Sequence, residues 1–196
     1  MSSVQLEAAI DESLYDKELV KVWKNLSRRP KIIVFDLDYT LWPYYIDSHV
    51  TPPIKAQGNN FSDSYGNLYK PFKDVTKILR TLKEKCLGED GYLAIASRST
   101  TKDLAMQAIE IYGWMPYLSS FQIFPRVKDV HMYAIKKELG GEFTDMLFFD
   151  DEERNYKPTA DIGVVPILVN QVDGLNLEAM YNGLLRYERK YKNLPK

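Results

Sequence analysis

The chain has one cysteine, Cys86, among its 196 residues. No intramolecular disulfide can form, and a reducing compartment is the expectation. No segment approaches the ~20 consecutive apolar residues that cross a bilayer, which speaks against a helical span and a membrane partner. An excess of one charge is also missing. The net charge is −1 and the isoelectric point about 6.2, so no global field draws the chain to nucleic acid or to an anionic membrane. Neither G-x-x-x-x-G-K-[ST] nor G-x-G-x-x-G occurs, so no nucleotide cradle is indicated. Met1-Ser2-Ser3-Val4 leads into acids where a signal or transit peptide would carry Arg or Lys, which makes a cytoplasmic location, with the nucleus also open, the expectation. His49 and His131 are not spaced as metal ligands and read as incidental.

What is present supports one domain over 1–196, with a hydrophobic share of 45% that suffices for a core. The most informative stretch is Lys31-Ile32-Ile33-Val34-Phe35-Asp36-Leu37-Asp38-Tyr39-Thr40-Leu41-Trp42. Its apolar, β-branched run reads as a strand covered on both faces, and it ends abruptly in two carboxylates. Further strands are predicted at Tyr92–Ala96, near Phe121–Phe124, at Met146–Phe149 and at Val164–Val169. Helical patterns lie between them: one opened by Pro71 with Cys86 on its buried stripe, one capped near Ser99–Thr101, and one from about Lys128 to Leu139 stopped by Gly140-Gly141. A closing helix from Leu175 to about Tyr191 would turn Leu177, Met180, Tyr181, Leu184 and Leu185 inward. Residues 1–28 read as an appended N-terminal helix, and the turn-rich, aromatic segment 43–70 as a folded flap. Alternating strands and helices predict an α/β fold, a doubly wound parallel sheet with helices on both faces.

In such a sheet all strand C-termini lie along one edge. Asp36/Asp38, Ser97 and Asp150/Asp151 therefore converge although they are far apart in the chain, and Lys128 at a helix start falls on the same edge. Clustered carboxylates need a cation between them, and an all-oxygen set suits Mg²⁺. A hydroxyl and an ammonium beside them suit phosphoryl oxygens. Arg126 and Lys102 compete with Lys128 for the ammonium's place.

This ordered set resembles the haloacid dehalogenase (HAD) superfamily, through Asp36-x-Asp38-x-Thr40, Ser97, Lys128 and Phe149-Asp150-Asp151. Val34-Phe35-Asp36-Leu37-Asp38-Tyr39-Thr40-Leu41-Trp42-Pro43, Ala96-Ser97-Arg98 and Phe148-Phe149-Asp150-Asp151-Glu152-x-x-Asn155 are similar to the eukaryotic magnesium-dependent phosphatase family within it, whose members lack a large cap domain. The resemblance implies hydrolysis of a phosphomonoester, of phosphotyrosine, phosphoprotein or sugar-phosphate type, through an aspartyl-phosphate. Asp36 would be the nucleophile and Asp38 the acid and base. Mg²⁺ would be held by Asp36, the Asp38 carbonyl and Asp151, with Asp150 and Asn155 in support. Thr40 would orient the loop and belong, with Ser97 and Lys128, to the phosphate-binding set. Arg98 and Trp42 are candidates for the leaving group by position.

No Cys-x₅-Arg loop of the cysteine phosphatases is present. A phosphotransferase or mutase would share the chemistry but must exclude water, for which segment 43–70 is small. A receiver-type binding module also combines Asp, Mg²⁺, Ser/Thr and Lys, but places its acidic pair on the first strand and its acceptor on a middle one. A monomer is the default expectation.

Overall fold

The computed structural model describes residues 16–193, and the first half of the expected N-terminal helix, including Leu6, Ile10 and Leu14, lies outside them. In chain order the elements are helix α1 (residues 16–25), strand β1 (Ile32–Phe35), a short helix α2 (Ile46–His49), strands β2 (Lys55–Gln57), β3 (Asn60–Ser62) and β4 (Leu68–Tyr69), and helix α3 (Val75–Thr81). Strand β5 (Tyr92–Ser97), α4 (Lys102–Ile111), β6 (Ser120–Ile123), α5 (Lys128–Leu139), β7 (Met146–Asp150), α6 (Tyr156–Asp161), β8 (Val165–Leu168) and α7 (Leu177–Tyr191) follow.

The main sheet runs β6-β5-β1-β7-β8, and every pairing in it is parallel. The chain leaves β1 toward β5 and β6, then returns to add β7 and β8 on the other side. The order reverses between β1 and β7, and at such a reversal open α/β sheets leave a crevice beyond the strand ends. Both strands that flank it end in carboxylates.

Side-chain alternation along β1 divides the core. Ile33 and Phe35 point into the larger cluster, with Leu19 and Trp23 of α1, Ile78 and Leu79 of α3, Ala105 and Ile109 of α4, and Met180 and Leu184 of α7. Ile32 and Val34 point to the opposite face, against Met132 and Ile135 of α5. Both faces are thus covered by helices, which explains the unbroken apolar run. The described part of the N-terminal helix packs onto the sheet through α1, and Asp16 meets Thr81 and Lys85.

Three expectations need correction. Pro71 does not open a helix: α3 begins at Val75, and the preceding stretch is pinned by the Phe72 N–H, which donates to the Leu41 carbonyl at 3.0 Å. Cys86 is only half-buried, in a wider π-helical turn (Leu82–Cys86). On α7 the buried residues are Met180, Gly183, Leu184, Tyr187 and Tyr191, with Leu177 and Leu185 partly buried against the core as expected, while Tyr181 is exposed. Gly183 sets that face, since a Cβ there would lie 2.6 Å from the Phe149 ring.

The flap is a folded unit. Strands β2-β3-β4 form an antiparallel sheet, and Tyr44, Phe61 and Tyr69 pack on one another and on Tyr112. No described segment is large enough to form a cap domain over the crevice.

Candidate active site

The floor is built from strand ends. Asp36 follows β1, and its N–H donates to the Phe149 carbonyl at 2.9 Å, which continues the ladder one residue past the strand. Asp150 closes β7, with its carbonyl held by the Val169 N–H at 2.9 Å. Ser97 closes β5, and Lys128 is the first residue of α5. Lys128 is fully buried, and its Nζ donates to Asp36 Oδ1 at 2.6 Å and the Ala96 carbonyl at 2.6 Å, with Asp150 Oδ2 at 3.0 Å. Arg126 and Lys102, the competing cations, are both exposed.

One ammonium cannot balance this floor. Asp36, Asp150 and Asp151 each offer an oxygen, and these oxygens lie within 4.8 Å of one another. Asp150 is already engaged: Oδ1 accepts from the Glu152 N–H at 2.7 Å, Asn155 Nδ2 spans both oxygens at 3.0 and 3.1 Å, and Oδ2 faces Lys128. Asp151 is half-buried, and among the described side chains Gln171 Nε2 donates to it, at 2.8 Å on Oδ2. Its carboxylate is therefore the freer of the two.

Burial pushes the Asp36 carboxyl well above the ordinary range, against the pull of Lys128, and Asp150 and Asp38 add repulsion. Burial also raises Asp151, opposed by Gln171. Burial alone would lower Lys128, but Asp36 and Asp150 reverse that and hold it charged. Two carboxyls pushed toward their neutral forms around a single cation describe a place where a further cation would restore the anions. The donors are hard oxygens, so the residues fit Mg²⁺.

The loop after β1 turns sharply. The N–H groups of Thr40, Leu41 and Trp42 all reach the Leu37 carbonyl, at 3.2, 2.8 and 3.3 Å, and Tyr39 sits at φ +54°. That left-handed conformation costs a bulky residue of order 1 kcal/mol or more. The turn presents Asp38 to the crevice and sends Trp42 behind it. Asp38 is pushed up to about 6 by burial, against hydrogen bonds from Trp42 and Ile46.

A cavity of about 210 Å³ opens over this floor. Asp36, Asp38, Ser97, Lys128 and Asp151 line its base, and Tyr45, Asp47, Arg98, Ser99, Glu152 and Arg154 its walls. Glu152 accepts from Arg154 and lies 3.7 Å from Arg98. Burial would raise it, but Arg154, Asn155 and Arg98 hold it below its usual range. Of the expected leaving-group contacts Arg98 lies on the cavity wall and Trp42 does not. Trp42 is fully buried, stacked on Tyr44 and Trp114, and donates Nε1–H to Asp38. Thr40 is also fully buried and away from the cavity; its Oγ1 has no hydrogen-bond partner among the described residues, and its carbonyl accepts from the Leu175 N–H at 2.8 Å.

His131 was expected to be incidental and is not. Its buried ring lies flat on Phe124, with Nε2 at 2.9 Å from the Ser97 carbonyl and 3.0 Å from that of Phe124, and Nδ1 at 3.0 Å from the Val127 carbonyl. It ties the end of β5 to the start of α5, and so fixes Ser97 relative to Lys128. Arg154, Tyr45 and Asp47 were also missed. Only the position of Arg154, three residues past Asp151, was a signal for any of them.

Residues 28–190 match the acid phosphatase family. The chain is 36% identical over 160 residues to magnesium-dependent phosphatase 1 of Homo sapiens, covering 81% of this chain and 88% of that protein. A HAD-like hydrolase superfamily protein of Schizosaccharomyces pombe is 37% identical over 138 residues, 64% of this chain and 78% of that one. Among solved structures, a HAD-superfamily hydrolase from Ehrlichia chaffeensis superposes with a TM-score of 0.58 at 13% identity, over 82% of this chain and 98% of that one, a likeness of fold. With most of its length matched, and with the β1/β7 crevice carrying the acids and lysine that its motifs announced, the chain belongs to the acid phosphatase family.

Proposed function

We propose that this chain is a Mg²⁺-dependent phosphomonoesterase that works through an aspartyl-phosphate on Asp36. The observation that carries the reading is Lys128, fully buried and bridging Asp36 and Asp150 at 2.6 and 3.0 Å beneath a cavity open to solvent. Magnesium is the cofactor; Asp36, the Asp38 carbonyl and Asp151 would hold it, with Asp150 and Asn155 in support, and it would neutralise phosphoryl charge.

Lys128 fixes Oδ1 of Asp36, which leaves Oδ2 to attack phosphorus. The new Oδ2–P bond forms as the bond from phosphorus to the ester oxygen breaks, and Asp38 gives its proton to that oxygen. Water then attacks the same phosphorus and returns a proton to Asp38. The P–O bond to Asp36 breaks and phosphate leaves. Lys128 and Ser97 hold the phosphoryl oxygens, and His131 keeps those two groups in register. Thr40 supports the loop through its backbone. Arg98, with Arg154, Tyr45 and Asp47, forms the wall that a leaving group meets. The open wall favours hydrolysis over transfer and admits a phosphotyrosine, a phosphoprotein or a sugar phosphate. A cytoplasmic location belongs to the same reading.

Phosphate release from p-nitrophenyl phosphate tests it, with Mg²⁺ and with EDTA, for the unaltered protein and Asp36→Asn. Turnover that needs the metal and falls by about 10³-fold or more in the variant is expected. Full activity in EDTA or in Asp36→Asn would falsify the proposal.

A further inference from the structure

Asp38 differs from the other acids of the site in what its oxygens meet. Oδ1 accepts from Trp42 Nε1 at 2.7 Å and from the Ile46 N–H at 3.0 Å. Both partners can only donate. A hydrogen on Oδ1 would point at two others, so a protonated Asp38 carries its hydrogen on Oδ2. Trp42 cannot turn away to relieve the constraint. Its ring is fully buried between Tyr44, at 5.5 Å and 4°, and Trp114, at 6.1 Å and 14°. The Ile46 N–H is equally fixed, because Ile46 is fully buried at the start of α2.

We infer that Trp42 is a positioning residue for leaving-group protonation, its indole N–H holding the Asp38 carboxyl so that Oδ2 alone delivers the proton. The inference rests on the proposal that Asp38 is the general acid. As Asp36 bonds to phosphorus and the ester bond breaks, the proton passes from Asp38 Oδ2 to the departing oxygen. Negative charge then gathers on the Asp38 carboxylate, where two N–H groups already point at Oδ1, so no reorganisation is needed. Without the indole donor only the Ile46 N–H holds Oδ1, the carboxyl torsion gains range, and conformers with the proton turned from the cavity compete.

The effect depends on the leaving group. A dinitrophenolate departs without a proton, whereas an alkoxide does not, so only the alkyl ester depends on Oδ2. The quantity to read is kcat/KM, which covers steps up to departure of the leaving group and excludes hydrolysis of the aspartyl-phosphate. We would compare 2,4-dinitrophenyl phosphate with a primary alkyl phosphate. The proteins are the unaltered enzyme, Trp42→Phe, Asp38→Asn, and enzyme with 3-benzothienylalanine at position 42, which keeps the bicyclic shape and replaces N–H by sulfur.

General acid catalysis is worth roughly 10²–10⁴-fold, so partial misplacement of the acid should lower kcat/KM on the alkyl ester about tenfold in both position-42 proteins. The loss on the dinitrophenyl ester should stay within about twofold, since that step draws nothing from the acid. If Trp42→Phe does not fold, the isostere decides alone. Equal losses on both esters, or none on either, overturn the role given to Trp42. Asp38→Asn separates the two levels of argument. A leaving-group bias in Asp38→Asn that the isostere lacks refutes the positioning role only, and no bias in Asp38→Asn refutes the assignment of Asp38 as the acid.

Discussion

The floor and the wall of the cavity are held by different physics. Lys128, Asp36 and Asp150 are under a tenth exposed, sit on strand ends or a helix start, and meet at 2.6 and 3.0 Å. On the wall, the side chains of Arg98 and Arg154 are 35% and 62% exposed and share Glu152, Arg98 from the loop after β5 and Arg154 from a 3-10 turn. Charges removed from water interact strongly and cannot be left unpaired, while solvent screens the exposed ones. The floor is therefore rigid and intolerant of change, which suits a fixed reaction. The wall is adjustable, which suits the choice of substrate.

Lys128→Met should break the contrast most severely. It leaves Asp36 and Asp150 facing each other without their shared cation, a loss of about 3–5 kcal/mol in denaturant unfolding without Mg²⁺, because breaking a buried pair strands its charges. Turnover should fall by about 10²–10³-fold as well, since a group aimed at transition-state charge is gone. Stability unchanged within about 0.5 kcal/mol would show that the floor is no tighter than a surface pair.

A smaller effect should come from pH. Asp38, pushed up to about 6 by burial, would have to begin protonated to serve as the acid of the proposed reaction. On an alkyl phosphate, the loss of that proton should make kcat/KM fall roughly tenfold per pH unit above about pH 6. A rate that climbs through that range would contradict the assignment.

The smallest effect belongs to the wall. Arg154→Ala should change stability by less than about 0.5 kcal/mol, because its partner Glu152 is reached by solvent. A panel of phosphomonoesters should show changes in kcat/KM of up to about tenfold that differ from substrate to substrate, with the order of preference altered. A uniform loss across the panel would move Arg154 into the same class as Lys128.

The same division governs what the sequence discloses. The floor was legible because an apolar run that ends in carboxylates is a pattern of residue types, and parallel topology brings such ends together. Ser97 followed from that edge, and Lys128 was chosen over Arg126 and Lys102 by the family resemblance. Trp42 was misplaced because its direction depends on the turn in which three N–H groups converge on Leu37 and Tyr39 adopts a positive φ. His131 escaped notice because its partners are backbone carbonyls, which every residue supplies. The inner face of α7 was misjudged at Tyr181 because the close approach of Gly183 to Phe149 decides the helix rotation, and an apolar pattern does not record it. Tyr45 immediately precedes α2, Asp47 lies in that single-turn helix and Arg154 in a 3-10 turn (Glu153–Asn155), all too short for spacing to carry a period.

The most direct measurement is a rapid acid quench of the enzyme mixed with Mg²⁺ and a phosphomonoester labelled at phosphorus, followed by location of the label on the chain. The expected result is an acid-stable, hydroxylamine-labile phosphoryl group on Asp36 that forms and decays within a turnover and is absent from Asp36→Asn. Label on a different residue, or undiminished turnover in Asp36→Asn, would contradict the central claim.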